Sequence, residues 1–179
     1  MNVKIDVSDI YISRGSLVIR PYKWEDLGDF YENTPVDGSS DEAHYRNYEC
    51  IDDASEVLHN FIVGKNVLAI EFDGKVIGSI GLVKYNENLA NELSNLRGVE
   101  VGCSLSKNYW NRGIMTEVLG VVVNYLFTRH SLDFVIYCHY LDNIRSQRVR
   151  EKNGFTDFKI YDKDCFGETR KSVISIKYR

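Results

Sequence analysis

The 179-residue chain is 44% hydrophobic and 27% charged, with only two prolines, a make-up that suits one folded domain spanning residues 1–179 with room for a core. It contains no run of eighteen apolar residues, and MNVKIDVSDI at its start alternates and carries acid, so neither a membrane span nor a secretion signal is expected and the cytoplasm is the default compartment. The formal charge of −4 is uneven, because eleven acids between Glu25 and Glu56 face the single Arg46, whereas Arg145, Arg148, Arg150 and Lys152 face only Glu151. That division suggests two sites of opposite preference and argues against a nucleic-acid surface.

In chain order, SLVIR (16–20) reads as a strand closed by Pro21, and WEDLGDFYENT as a helix with Trp24, Leu27, Phe30 and Tyr31 on its apolar side. The polar stretch from Pro35 to Tyr48 gives no clear pattern. A second helix is expected from Asp52 or Asp53, with Val57, Leu58, Phe61 and Ile62 on one face. NVLAIEF and KVIGSIGLVKY are two strand-like runs about Asp73-Gly74, a dipeptide suited to a type I′ hairpin turn. NENLANELSNLR is a polar connection or short helix, and strand character returns from Val99 to about Leu105.

Residues 113–127 are almost wholly apolar and predict a buried helix. Its interior Gly120 costs about 1 kcal/mol relative to alanine, which close approach of a neighbour would explain. DFVIYCHY (133–140) is a further strand, Asn143 can cap a short helix, and Gly154 can end it. The tail from Phe158 to Tyr178 predicts two strands around the polar DKDCFGETRK. The elements together make an α+β sandwich of mixed sheet and helices. The four cysteines are scattered, without a CxxC pair and without clustered histidines, so small buried or half-buried thiols are expected, with neither a disulfide framework nor a metal site.

YWNRGIM (109–115) sits where a strand gives way to the apolar helix. A helix start leaves backbone N–H groups without partners and carries partial positive charge, and glycine lets a ligand approach the backbone. Asn111, Arg112 and Gly113 before Ile114 therefore form a candidate phosphate pocket. The other reading, that Gly113 relieves a tight turn and Arg112 points into water, stays open. GxGxxG and GxxxxGK[ST] are both absent, which removes the common nucleotide loops. The start at Asn143 to Arg150 is a second cation-rich strand-to-helix corner, or else a solvated basic face.

VEVGCSLSKNYWNRGIMTEVLGVVVNYLF resembles the coenzyme-binding motif of the acetyl-coenzyme A dependent N-acetyltransferase superfamily, and DNIRSQRVREKNGF resembles its following motif. The YW at 109–110, RG at 112–113, TE at 116–117 and Ser146 resemble the branch that acetylates N-termini of ribosomal proteins, with relatives acting on other amines. The likeness covers about residues 16–178. It implies the acyl-CoA N-acyltransferase fold, a mixed, mostly antiparallel central sheet flanked by helices, with acetyl-CoA as cosubstrate and no metal. It also implies that Cys103, Ser104 and Leu105 hold the pantetheine arm. Trp110, Asn111, Arg112, Gly113, Ile114 and Met115 would surround the pyrophosphate, and Asn143 and Ser146 would complete the coenzyme contacts; on the basic helix Arg148 can approach a phosphate, and helix geometry does not distinguish it from Arg145. Met115 replaces a small residue of the consensus, so its side chain either narrows the phosphate nest or points to the core. Arg150 stands where members outside this branch carry a tyrosine that protonates the thiolate, which leaves that role to Ser146.

Glu100 interrupts Val99 and Val101 in a strand built for burial. By alternation alone it can face solvent at an edge; with the resemblance it is the expected general base, its pKa raised by partial burial. His139 and Tyr140 end the adjacent strand, and a lone histidine there is expected to be structural or exposed. The acidic N-terminal helices suggest a basic acceptor amine, either a protein or peptide N-terminus or a small amine, although the acids can equally be solvated surface. Nucleic acid and membrane are not expected partners, and monomer and homodimer both remain open. The alternative function is a noncatalytic acyl-coenzyme A binding or regulatory domain of the same fold.

Overall fold

The computed structural model describes residues 1–33, 48, 50–165 and 167–179. The unassigned polar stretch therefore lies outside the described residues except for Tyr48, as do Asp37, Asp41, Glu42, Arg46 and Glu49 and the side chain of Cys165. Among the described residues, eight strands form one sheet: β1 Ile12–Arg14, β2 Leu17–Pro21, β3 Val67–Phe72, β4 Lys75–Val83, β5 Gly98–Leu105, β6 Phe134–Tyr140, β7 Thr156–Cys165 and β8 Glu168–Tyr178. Their order is β1-β2-β3-β4-β5-β6-β8-β7. β5 and β6 run parallel, whereas β1–β2, β2–β3, β3–β4, β6–β8 and β7–β8 are antiparallel. Helices α1 Leu27–Glu32, α2 Ile51–Gly64, α3 Ile114–Arg129 and α4 Ile144–Lys152 accompany it. This is the expected mixed, mostly antiparallel architecture. The described chain divides into two compact units, one of residues 5–81 with 103–114, the other of residues 1–4, 82–102 and 115–179.

In the first unit, the sequence shows β2 but not its partner β1, a three-residue strand too short to display a period. The β3–β4 hairpin turns through Asp73 (φ 50°) and Gly74 (φ 80°), as the Asp-Gly pair predicts. Tyr22, Phe30, Ala54, Leu58, Val67, Ala69 and Val76 make the core, with Tyr22 and Phe30 edge-to-face at 5.5 Å. Trp24 departs from its expected inward placement: it is 49% exposed and stacks on His59. Tyr31 is exposed as well. The buried side chain of that turn is Asp26, which accepts two 2.8 Å bonds from Arg20, while Arg20 Nε donates to Glu71 at 2.8 Å. Helix α2 begins at Ile51, slightly earlier than expected, with the Cys50 N–H donating to Asp53. Cys50 is exposed, contrary to the expectation of buried thiols.

In the second unit, α3 buries Met115, Val118, Leu119, Val122, Val123, Leu126 and Phe127. The neighbour that explains Gly120 is Asn153, whose Oδ1 lies 2.8 Å from where a Cβ would stand. The same side chain donates to the Thr116 carbonyl at 3.1 Å and so ties the end of α4 to the first turn of α3. Asn143 caps α4 by accepting the Ser146 N–H at 3.0 Å. At its other end Gly154 (φ 73°) donates to Glu151 and Phe155 donates to Arg150, the paired bonds of a Schellman motif. The tail strands run further than the sequence implies, through most of the polar DKDCFGETRK, because β7 and β8 pair in register from Thr156–Ile176 to Cys165–Glu168.

Candidate active site

The corner after β5 belongs to the first unit. Cys103, Ser104 and Leu105 are half-buried in the last turn of that strand's pleat, and the Ser106 N–H donates to the Ile77 carbonyl at 2.8 Å. Trp110 folds back so that its Nε1 donates to the Leu105 carbonyl at 2.8 Å, closing a short loop. Asn111 (φ 60°) and Gly113 (φ 80°) both adopt left-handed backbone, and Asn111, Arg112 and Gly113 are exposed. Among the described residues, no atom outside its chain neighbours lies within 4 Å of the position a Gly113 Cβ would take. Arg112 does not simply point into water: its guanidinium stands 5.1 Å over the Tyr109 ring. Tyr109 in turn meets Phe72 edge-on.

The donor set at this corner fits the phosphates of acetyl-CoA. It consists of backbone amides at a helix start, a cation braced by a ring, and open space above a glycine. Ile114 and Met115 are buried. Of the two orientations open to the Met115 side chain, the core is the one adopted, so only its backbone can face a ligand.

Glu100 belongs to the second unit. β5 pairs with β6 from Gly98–Phe134 to Val101–Tyr137, which sets Glu100 opposite Ile136. Burial pushes its carboxyl above the usual glutamate range, while the Lys163 ammonium and the Cys138 thiol draw it back. Cys138, Tyr161 and Lys163 are the residues the sequence reading missed here. Strand parity places Cys138 with Phe134 and Ile136, but only the parallel β5–β6 register shows that this face is also that of Glu100.

On α4, Ser146 is half-buried at the third helical position and Arg148 is exposed. Asn143 is buried and committed to its cap. Arg150 is buried and paired with Asp157 and Glu151. A guanidinium held this way is a structural group and offers no proton to a leaving thiolate. His139 is buried, with Nδ1 against the Tyr140 carbonyl at 2.8 Å and its pKa lowered by burial. Of the placements expected, exposure at the strand end is therefore not the one adopted. Glu100 and Ser146 share no partner among the described residues: the first engages Cys138 and Lys163, the second the Asn143 cap.

The acidic N-terminal segment is less free than its sequence suggests. Asp26 is bound by Arg20, Asp29 accepts the Val76 N–H at 2.8 Å, and Glu32 pairs with Lys75 at 2.7 Å. Among the described residues, no cluster of His, Cys, Asp and Glu has the geometry to hold a metal ion, and no helix is long and apolar enough to cross a membrane.

The sequence profile of the acetyltransferase (GNAT) domain matches residues 16–156, running through both units. No curated protein matches the chain. Solved structures do. A GNAT-family acetyltransferase from Bacillus anthracis aligns with TM-score 0.81 at 18% identity, covering 94% of this chain and 98% of that one. A spermidine N-acetyltransferase from Vibrio cholerae, in complex with CoA and spermine, aligns with TM-score 0.73 at 16% identity over 92% and 96%. A ribosomal-protein-S5-alanine acetyltransferase from Vibrio fischeri aligns with TM-score 0.69 at 14% identity over 95% and 97%. At such identities the likeness concerns the fold.

Proposed function

The chain belongs to the GNAT acetyltransferase family, and from that premise we propose that it transfers an acetyl group from acetyl-CoA directly to a primary amine. The acceptor is a protein or peptide N-terminus or a small basic amine; both kinds occur among the similar structures as they are described. The observation that carries this reading is Glu100. It is a half-buried carboxyl on the strand that leads into the coenzyme corner, with its pKa displaced upward by burial.

In this mechanism Asn111, Arg112, Gly113 and the first amides of α3 hold the phosphates, with Trp110 fixing the loop that presents them. Cys103, Ser104 and Leu105 are the residues proposed to align the pantetheine arm, and Asn143 and Arg148 of α4 are proposed as further coenzyme contacts. The bound thioester supplies the activated acyl carbon. Glu100 removes the proton from the attacking amine, directly or through a water, and its raised pKa strengthens it as a base. A backbone N–H of the 103–105 segment stabilises charge on the carbonyl oxygen. The Ser146 hydroxyl donates to the sulfur as the C–S bond breaks, a role that the buried ion pair of Arg150 supports by elimination. No acyl-enzyme is needed, so holding both reactants in register provides much of the acceleration.

Purified protein incubated with acetyl-CoA and a panel of N-terminal peptides, polyamines and neutral amines tests this. A mass increase of one acetyl group on at least one amine is expected. Binding of acetyl-CoA without product on any amine would favour the noncatalytic reading.

A further inference from the structure

One face of the second unit gathers three groups that the mechanism above does not use, Cys138, Tyr161 and Lys163, beside the Glu100 that it does. Register places Glu100 opposite Ile136 on β6, and Cys138 lies two residues further on the same face. Cys138 is opposite Ile174 on β8, and Tyr161 on β7 is opposite Ser172 of β8. Cys138 and Tyr161 both pack against the cluster of Phe134, Ile136, Ile174 and Ile176. The Cys138 thiol hydrogen-bonds the Glu100 carboxylate, Tyr161 hydrogen-bonds Cys138, and the Lys163 ammonium of β7 acts on both Glu100 and Cys138. A row of side chains therefore crosses from β5 through β6 to β7 and ends on the proposed base.

We infer that Cys138 is a positioning residue for Glu100: its S–H, oriented by Tyr161, occupies one carboxylate oxygen and leaves the other to face the acceptor amine. The inference rests on the proposed role of Glu100. Its physical basis is that a half-buried carboxylate on an apolar face has few donors to fix its rotation. A hydrogen bond to the charged oxygen fixes that rotation and favours ionisation. The thiol suits the task because it remains a donor: burial and the neighbouring carboxylate push its pKa well above the ordinary cysteine value. Serine would also donate, whereas alanine cannot.

The charged and titratable groups around this row are Cys138 and Tyr140 from β6 and Tyr161 and Lys163 from β7. Tyr85 joins them from the connection before β5, packed in the same cluster, and Arg170 of β8 stands over the Tyr140 ring. Of these, Cys138 and Lys163 draw the Glu100 carboxyl downward against burial. Removing the thiol donor therefore raises the Glu100 pKa, and the acid limb of kcat/KM moves to higher pH.

The test compares wild type, Cys138→Ala and Cys138→Ser by two readouts: the pH profile of kcat/KM, and the carbon-13 titration of the Glu100 carboxyl in the intact protein, assigned with Glu100→Gln. Thermal unfolding confirms that each variant is folded. Cys138→Ala is expected to raise both the limb and the carboxyl midpoint by roughly half to one pH unit, and Cys138→Ser to bring both back toward wild type. An unchanged carboxyl midpoint in folded Cys138→Ala overturns the inference, as does a rate loss equal at every pH. If wild type turns over no amine, the catalytic role of Glu100 fails and the positioning role fails with it. The carboxyl titration still separates that result from a missing contact.

Discussion

Two carboxylates mark the two units, and they are treated in opposite ways. Asp26 is buried and receives a bidentate Arg20, which also bonds Glu71; the Arg20 pKa is raised, chiefly by its hydrogen bonds to Asp26. Glu100 receives a thiol and the field of one lysine, and burial outweighs both. A carboxylate with a strong, rigid partner serves the fold, whereas one with weak partners is left available to chemistry. Partner quality, more than depth of burial, separates the structural acid from the candidate base.

Breaking each side of this comparison should give different kinds of loss. The largest effect is expected from Asp26→Ala, which leaves Arg20 inside the fold with Glu71 as its remaining carboxylate partner. It should destabilise by about 3 kcal/mol in urea unfolding, and a loss below about 1 kcal/mol would mean that the pair behaves as a surface bridge. Glu100→Gln should lower kcat by about a hundredfold near neutrality. Its stability should stay level or rise slightly, since an amide avoids burying charge.

The sign of the pH dependence follows from the raised carboxyl. The base works ionised, so wild-type kcat/KM falls as pH drops through a limb lying above the ordinary glutamate value, and Glu100→Gln should flatten that limb. A limb that persists in the variant would remove Glu100 as the base. Gly113→Val puts a branched side chain at φ 80° over the open corner. Acetyl-CoA binding by calorimetry should weaken about tenfold or more, and normal binding would detach the corner from the phosphates.

The smallest effect belongs to a contact with no carboxylate. In Gly120→Ala the helix gains about 1 kcal/mol, while the new Cβ displaces Asn153 from Thr116 and loses about as much. Unfolding should be nearly unchanged, and a clear stabilisation would show that Asn153 is not held there.

What was legible in the sequence follows the range of the physics involved. The Asp73-Gly74 turn, the Asn143 cap and the Gly154 stop are local devices, and each stands where its residues predict. Glu100 was visible as a carboxylate in an apolar strand. Its partners were not, because Cys138 and Tyr161 reach it through strand pairing between distant segments, including a parallel pair that no short motif encodes. Trp24 was misplaced for a related reason: apolar spacing over one short helix says little about which side the α2 packing covers, and Asp26 took the inward position because Arg20 from β2 was there to meet it. The extra length of β7 and β8 is another tertiary effect, since strand pairing carries the polar residues 162–165 and 168–171 into strands.

The most direct measurement is the rate of free-thiol release from acetyl-CoA with and without a saturating primary amine. Amine-dependent release matched mole for mole by acetylated product is predicted. Release that is absent, or that proceeds equally without amine, would contradict the proposed transfer.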